Sequence, residues 1–147
     1  MEHKIIDTKE VVIRFTGDSG DGMQLTGTLF ADASALYGNE ISTFPDYPAE
    51  IRAPQGTVAG VSGFQVHIGQ TEVKTPGDFC DVLVAMNPAA LKANAKWAKP
   101  GASIILDEDS FDEKGLEKAG FKTNDPIEEM NLKDYHIVWA PITSLTK

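Results

Sequence analysis

The chain has little cysteine and little positive charge, and both shortages narrow the functions that it can have. Cys80 is the single cysteine, so the sequence excludes an internal disulfide, a cysteine-rich zinc site and a self-contained iron–sulfur cluster. The net charge of −9 opposes nonspecific binding to nucleic acids or anionic membranes. We find neither a signal peptide nor an apolar run that could span a bilayer, so we predict a cytoplasmic protein without nucleic-acid or membrane partners.

The rest of the composition is that of an ordinary globular domain. The 147 residues, 41% of them hydrophobic and 24% charged, are enough to bury a core. Residues 1–10 are polar and aperiodic, which predicts a flexible leader before a single domain over residues 11–147. A predicted strand at residues 137–140 is followed by no predicted closing helix, so we expect a domain truncated at its C-terminus, as in a fragment of a longer subunit.

Residues 11–23 predict a buried strand, a glycine loop and the start of a helix. Such a loop lies at the carboxyl edge of a parallel sheet, where open α/β folds bind ligands. The helix begins near Met23 and ends at Gly38, a residue suited to a left-handed helix cap. Apolar residues at helical spacing predict its buried face: Leu29, Phe30, Ala33, Leu36 and Tyr37.

The glycine loop matches none of the common nucleotide motifs. Gly17, Gly20 and Gly22 are spaced G-x-x-G-x-G, which fits neither the dinucleotide fingerprint nor the lysine-containing phosphate loop. The loop also contains Asp18 and Asp21, which would repel a phosphate. Residues 20–22 imitate the start of a thiamine diphosphate motif, but the paired asparagine that would complete its Mg²⁺ shell is missing, since Asn39 stands alone. Ser19 or Asp21 is better explained as a helix cap.

Four further strands and a helix predict an α/β fold, a mostly parallel Rossmann-like sheet with helices on both faces. Residues 40–44 form a strand that we expect to pair in parallel with the first, through a right-handed βαβ unit. The apolar run 81–86 is typical of a central strand buried on both faces. Asn87 and Pro88 then start a helix, as cap and first helical residue. Residues 103–107 and 137–140 supply two more strands.

Two regions are candidates for binding. Asn87 follows a strand, so its amide could cap a helix, contact a ligand, or both. Residues 45–56 contain three prolines that stiffen a loop carrying Tyr47, Glu50 and Arg52. Tyrosine and arginine are favoured at interface hot spots, and a stiff loop loses little entropy on binding. We therefore predict an interface or ligand loop there, against the simpler alternative of a surface loop with an internal Glu50–Arg52 pair.

Other reactive side chains are better explained by structure than by chemistry. His67 lies on the polar face of a predicted half-exposed strand, 64–68, so we expect a surface histidine and no metal ligand. Cys80 adjoins an apolar strand, which favours a buried, unreactive thiol. The acidic residues 107–113 lack the spacing of an EF-hand, so we predict a solvated loop and helix start and no specific metal site.

An ordered set of motifs resembles one family closely. The chain is similar to the N-terminal gamma-type domain of the alpha subunit of 2-oxoacid:ferredoxin oxidoreductases, of the 2-oxoglutarate or pyruvate kind, over residue 11 to the end. The motifs that carry the resemblance are 14–22 (RFTGDSGDG), 48–54 (PAEIRAP), 60–66 (GVSGFQV), 75–78 (TPGD) and 85–91 (AMNPAAL). The resemblance implies the fold of domain III of pyruvate:ferredoxin oxidoreductase.

The resemblance also implies a function. Members of the family convert a 2-oxoacid and coenzyme A (CoA) to acyl-CoA and CO₂ with thiamine diphosphate and Mg²⁺, and pass electrons through iron–sulfur clusters to ferredoxin. Those cofactors would lie in the remaining alpha-subunit domain and the beta subunit, so we expect the isolated chain to bind none of them and to be inactive. This domain would serve subunit packing and CoA access, with Tyr47, Glu50 and Arg52 at an interface. The matching positions that would face CoA or a partner are Gly17, Ser19, Gly20, Gly22, Met23 and Asn87.

A second class of function stays open. A small, free-standing Rossmann-like module that binds a nucleotide or a CoA-like ligand would have the same strand–loop–helix start. A hydrolase is disfavoured, because the sequence has no G-x-S-x-G elbow and no Ser–His–Asp order.

Overall fold

The computed structural model describes residues 5, 7–18, 20, 22–46, 61–72, 74–75, 77 and 79–147. In this part of the chain, six strands form one sheet: β1 (Glu10–Asp18), β2 (Glu40–Asp46), β3 (Val61–Gly69), β4 (Cys80–Ala85), β5 (Ala98–Asp107) and β6 (His136–Ala140). The same residues form five α-helices: α1 (Met23–Leu36), α2 (Pro88–Asn94), α3 (Glu113–Lys118), α4 (Pro126–Glu129) and α5 (Ile142–Leu145). Within these ranges, no helix has the length and hydropathy needed to cross a membrane.

The strand order is β2-β3-β1-β4-β5-β6. The strands β1, β4, β5 and β6 are parallel neighbours, which confirms the predicted α/β class and mostly parallel sheet. The predicted pairing of β1 with β2 is wrong, because β3 lies between them and is antiparallel to both. A helical crossover fixes the direction of its two strands but does not make them neighbours, and the returning strand β3 occupies the place between them.

The position of β3 explains why its exposure was predicted wrongly. Phe64 pairs with Phe15 of β1 and with Pro45 of β2, so the strand has a neighbour on each side. A helix also covers each face of the strand. Residues 62–67 are therefore buried on both faces, although their alternating sequence predicts a half-exposed strand.

A buried arginine joins β1 to its surroundings. Arg14 is 6% exposed, and its side chain lies on the sheet face that α2 covers. Its Nε donates to Asn94 Oδ1 of α2 at 2.9 Å, and its Nη1 donates to Gln65 Oε1 of β3 at 3.1 Å. The guanidinium also lies 5.8 Å from the centre of the Trp97 ring. Three separate segments thus meet at one side chain.

Helix α1 packs on the other face of the sheet, through small residues. Its buried residues are Met23, Gly27 and Ala31, spaced one turn apart. The predicted buried face is wrong, since Leu29 is 60% exposed, and Leu36 and Tyr37 are each 89% exposed. The predicted ends are confirmed, because the helix starts at Met23 and Gly38 follows it with φ +84°.

The opposite face holds the larger core. Helices α2, α3 and α4 cover it, and its centre is fully buried at Leu83, Leu91 and Ile104. The prediction that the 81–86 strand is buried on both faces holds on this side alone. On the α1 side, Val82 and Val84 of the same strand are half-buried.

The acidic segment after β5 is less solvated than its composition suggests. Asp107 is fully buried and accepts hydrogen bonds from Ser110 Oγ, from the Thr143 hydroxyl and from the Thr143 backbone N–H. Burial of the carboxylate opposes its ionisation, but these hydrogen bonds outweigh burial and hold the pKa of Asp107 below its ordinary value. The solvated-loop prediction is therefore wrong for Asp107, which ties β5 to the short helix α5. It is correct for Glu108, Asp109, Asp112 and Glu113, which are exposed.

We predict that Gly27→Ala destabilises the domain, although alanine favours a helix over glycine by about 1 kcal/mol. A Cβ atom at Gly27 would lie 2.1 Å from Phe64 Cδ1, so the helix or the ring must shift. Overpacking of this kind costs about 1–3 kcal/mol. Urea unfolding should therefore show a lower free energy of unfolding than wild type. A variant more stable than wild type would contradict the close packing of α1 on β3.

We predict that Asp107→Asn lowers the free energy of unfolding at pH 7 by about 1–3 kcal/mol, because a charge-assisted set of hydrogen bonds is lost. The folded pKa of Asp107 is depressed, so its contribution is present above the unfolded pKa of about 3.9 and is lost as pH falls through the folded value. Urea titrations at several pH values should show the difference from wild type shrinking below about pH 4. The exposed control Asp134→Asn should stay within about 0.5 kcal/mol of wild type throughout. A pH-independent difference at Asp107 would argue against the ionised, hydrogen-bonded carboxylate.

Candidate functional site

The candidate site lies at the carboxyl edge of β1 and β4. The two strands are braced there, since Thr16 Oγ1 donates to Val84 O at 2.8 Å and Met86 N donates to Thr16 O at 2.9 Å. The chain leaves β1 at Asp18 and enters the glycine loop, while β4 leads into Asn87. The parallel sheet thus brings together two of the predicted regions.

Asn87 links the two strand ends. Its Oδ1 accepts from the Ala90 backbone N–H at 2.8 Å, which confirms the predicted cap of α2, with Pro88 at the first helical position. Its Nδ2 donates to Asp18 Oδ1 at 3.0 Å, across the edge from β4 to β1. Both ends of the amide are therefore engaged, and the orientation of Asn87 is fixed before any ligand arrives.

The glycine loop enters α1 through a left-handed residue. Gly22 is the N-cap with φ +74°, a conformation that favours glycine, and its carbonyl accepts from Thr26 N at 2.9 Å. Gly20 and Gly22 are exposed, whereas Gly17 and Met23 are buried. The predicted cap is wrong, because Gly22 takes the N-cap position that the sequence assigned to Ser19 or Asp21. Those two residues lie outside the described part of the chain.

The strands on either side of the predicted interface loop reach the same edge of the sheet. Tyr47, Glu50 and Arg52 lie outside the described residues, but the strands on either side of them are described. β2 ends at Asp46, opposite Gly63 of β3, and Val61 of β3 pairs with Asp18 of β1. β2 therefore ends, and β3 begins, at the carboxyl edge of β1.

The chemistry of this edge disfavours a phosphate. The positive end of the α1 dipole would attract an anion, but the exposed carboxylate of Asp18 stands between Asn87 and the loop. The loop sequence adds the negative charge of Asp21. The edge offers backbone groups and one oriented amide, with no pairing of nucleophile and base among the described residues.

The reactive side chains outside this edge are structural. Cys80 is fully buried at the opposite end of β4, and burial raises the pKa of its thiol to about 11, as the predicted unreactive thiol requires. His67 is 9% exposed, so the predicted surface histidine is wrong: its Nδ1 lies 2.6 Å from Thr75 O and its Nε2 lies 3.2 Å from Glu10 Oε2. Within the described ranges, no three His, Cys, Asp or Glu side chains form a group that could hold a metal ion.

A surface feature was missed at the level of the sequence. The outer face of α1 exposes Leu25 at 63%, Leu29 at 60% and Leu36 at 89%. We call these three residues the leucine stripe. Their spacing of four and seven residues does signal one apolar helix face, but spacing alone cannot tell a face that packs on its own sheet from one that meets another protein.

Comparisons with known proteins agree with the fold and with the resemblance. The family model of pyruvate ferredoxin/flavodoxin oxidoreductase matches residues 12–147. The 2-oxoglutarate oxidoreductase subunit KorA of Mycobacterium tuberculosis is 53% identical over 138 residues, which cover 94% of this chain and 21% of KorA. The common gamma subunit of the pyruvate/ketoisovalerate oxidoreductases of Thermococcus litoralis is 29% identical over 111 residues, 74% of this chain and 57% of that subunit.

Solved structures give the same result. The 2-oxoglutarate:ferredoxin oxidoreductase of Magnetococcus marinus, solved with 2-oxoglutarate, coenzyme A and succinyl-CoA bound, matches with a TM-score of 0.69 and 26% identity, over 94% of this chain and 21% of that one. The gamma subunit of a keto/oxoacid ferredoxin oxidoreductase from Geobacter sulfurreducens shares the fold, with a TM-score of 0.61 at 23% identity, over 90% of this chain and 62% of that one.

The present chain therefore spans about a fifth of the length of KorA. The family model covers nearly all of the present chain, and the match to KorA extends over 94% of it. The chain belongs to the pyruvate ferredoxin/flavodoxin oxidoreductase family.

Proposed function

We propose that this chain is the gamma-type domain of a 2-oxoacid:ferredoxin oxidoreductase, which converts a 2-oxoacid and CoA to acyl-CoA, CO₂ and reduced ferredoxin. The observation that carries the proposal is the 53% identity to KorA over 94% of the chain. The match to an enzyme solved with 2-oxoglutarate, coenzyme A and succinyl-CoA supports the substrate class.

Within that enzyme, the chain serves packing and CoA access and leaves the redox chemistry to other parts. Its residues do not fit the cofactors that the family implies. The one cysteine is buried and cannot supply an iron–sulfur cluster, and the described residues hold no group suited to Mg²⁺. Thiamine diphosphate, Mg²⁺ and the clusters then belong to the remaining alpha-subunit domain and the beta subunit, and ferredoxin docks on the complex.

The leucine stripe supports the packing role. Three exposed leucines on one helix face are an unusual surface for a free monomer, and apolar helix faces of this kind are buried at permanent interfaces. We propose that the stripe contacts the other parts of the enzyme. Tyr47, Glu50 and Arg52, between strands that end at the carboxyl edge, are proposed to extend the interface.

The carboxyl edge supports the role in CoA access. We propose that Ser19, Gly20, Gly22 and the Asn87 amide face CoA or a partner, while the buried Gly17 and Met23 shape the loop. Because Asp18 would repel phosphates, the edge would meet amide or ring groups of CoA.

The proposed function predicts the activity of a chimera. The matching region of M. tuberculosis KorA is replaced by this chain, and the chimera is purified with its partner subunit. Assayed with 2-oxoglutarate, CoA, thiamine diphosphate and a viologen acceptor, it should turn over, whereas the 147-residue chain alone should not exceed a heat-killed control.

Each arm of this assay can defeat the proposal. A chimera that assembles like native KorA but stays inactive would show that the chain cannot replace a gamma-type domain. Turnover by the chain alone would place catalysis within it. Tight CoA binding by the chain alone, with an inactive chimera, would favour the free-standing binding module.

We further predict that Leu25→Ser with Leu29→Ser weakens assembly of the chimera and leaves the domain folded. The substitutions remove the apolar surface that two leucines would bury at the interface, which should weaken association by about 2–4 kcal/mol. Both side chains are already more than half exposed, so the melting temperature of the isolated chain should barely move. The control is Ile5→Ser, which removes a 91% exposed apolar side chain from the segment before β1. If the wild-type chimera, the double variant and the Ile5→Ser control co-purify equally with the partner subunit, the leucine stripe is not part of the interface.

A further inference from the structure

Among the residues that the structure describes, no helix packs closely on β5 and β6 from the α1 side, and β4 meets the α1 cluster only at its margin, through Val84 and Met86. On the α1 side, Val84 of β4, Ile105 of β5 and Val138 of β6 lie side by side in register, and all three are half-buried. The adjacent row consists of Val82, Ser103 and His136. We call these six residues the open face.

The other side of β4 and β5 is closed. Leu83, Ile104 and Leu106 point to the α2 side and have no exposed surface. The strands β4 and β5 therefore carry apolar residues on both faces but bury them fully on one, while the edge strand β6 leaves Ile137 half-buried and Trp139 43% exposed on that side. Parallel strands with continuous apolar sequences are found where helices cover both faces of the sheet.

The geometry of the open face fits one helix. Helix α1 packs against β1, β2 and β3, at the other half of the sheet. Three strands beyond it span about 14 Å, since neighbouring strands lie about 4.8 Å apart. A helix with its side chains is about 10 Å wide and packs beside another at about the same distance. The open face can thus take one helix alongside α1, with Phe30 of α1 at its margin, 5.6 Å from the Phe15 ring.

We propose that the open face docks an amphipathic α-helix from the remainder of the longer oxidoreductase subunit. The proposal rests on the proposed function. The relatives support this occupant because they are longer than the part that matches this chain. Four fifths of KorA, and 43% of the Thermococcus gamma subunit, lie outside the match. The four aliphatic side chains of the open face, with no carboxylate among the six residues, call for an apolar helix face.

The chain provides a clean way to test the proposal by thiol labelling. Cys80 has no exposed surface and a raised pKa, so it reacts slowly and leaves an introduced cysteine as the reactive thiol. We would introduce Val138→Cys and, separately, His136→Cys, which is an exposed position on the same face and leaves the core untouched. The matched control is Phe44→Cys on β2, which is 50% exposed and lies on the other side of the sheet, opposite Gln65.

Labelling rates are compared between the 147-residue chain and the KorA chimera, with each site read by peptide mass spectrometry. At both open-face sites the rate should fall about tenfold or more in the chimera, because labelling would then require local opening. The rate at Phe44→Cys should not change. Equal rates at the open-face sites in the two proteins would overturn the proposal.

Two further outcomes would also overturn it. Protection already present in the 147-residue chain and independent of concentration would mean that another segment of the same chain covers the face. Protection that grows with concentration would mean that a second copy covers it. The activity assay is read separately on the same chimera: an inactive chimera with protected sites rejects only the proposed function, and an active chimera with unprotected sites rejects only this inference.

Discussion

The buried guanidinium of Arg14 is the interaction on which the arrangement of the sheet depends. A charge this deep is tolerated only when its donors find acceptors, and Arg14 finds them in Gln65 of β3 and Asn94 of α2. Each acceptor is itself held, since Gln65 Nε2 donates to Gly77 O and Asn94 Nδ2 donates to Ala90 O. Any other strand beside β1 would have to satisfy the same guanidinium, so the network favours β3 in that place.

The position of β3 then determines where the candidate site forms. With β3 beside β1, β2 becomes the outermost strand of the sheet. β2 ends, and β3 begins, at the carboxyl edge of β1. The glycine loop and Asn87 lie at that same edge because β1 and β4 are parallel neighbours. A structural interaction in the core thus brings together the regions that the sequence marks separately as candidates for binding.

Local features of the fold could be predicted from the sequence, and non-local ones could not. The strand β1, the start of α1 at Met23, Gly38 and the Asn87 cap each depend on a few neighbouring residues, and all are confirmed. The adjacency of β1 and β2 failed because it depends on which distant strand satisfies Arg14. The predicted surface position of His67 also failed for a non-local reason. An alternating strand is half-exposed only if nothing covers its polar face, and distant residues such as Glu10 contact His67 there.

The candidate site shows the same division. The sequence identifies Asn87 as a cap, because cap and helix are adjacent in the chain. It cannot show that the same amide also binds Asp18, which lies 69 residues away. That second bond changes the chemistry of the edge, because it fixes a carboxylate where a nucleotide-binding protein would place phosphate.

The two sides of the sheet differ in how completely they are closed. Helices α2, α3 and α4 cover one side, where Leu83, Leu91, Ile104 and Leu106 are fully buried, and burial of such side chains stabilises the fold. Among the described residues, α1 is the helix on the other side; it packs through Gly27 and exposes its leucines, next to the open face of β4–β6. Exposed apolar surface favours aggregation of a free monomer, whereas in a domain of a larger protein it can be buried against neighbouring parts. In our proposal, the apolar sequence of β4 and β5 therefore reflects burial in the assembled protein, whereas the described residues of this chain bury those strands fully on one side alone.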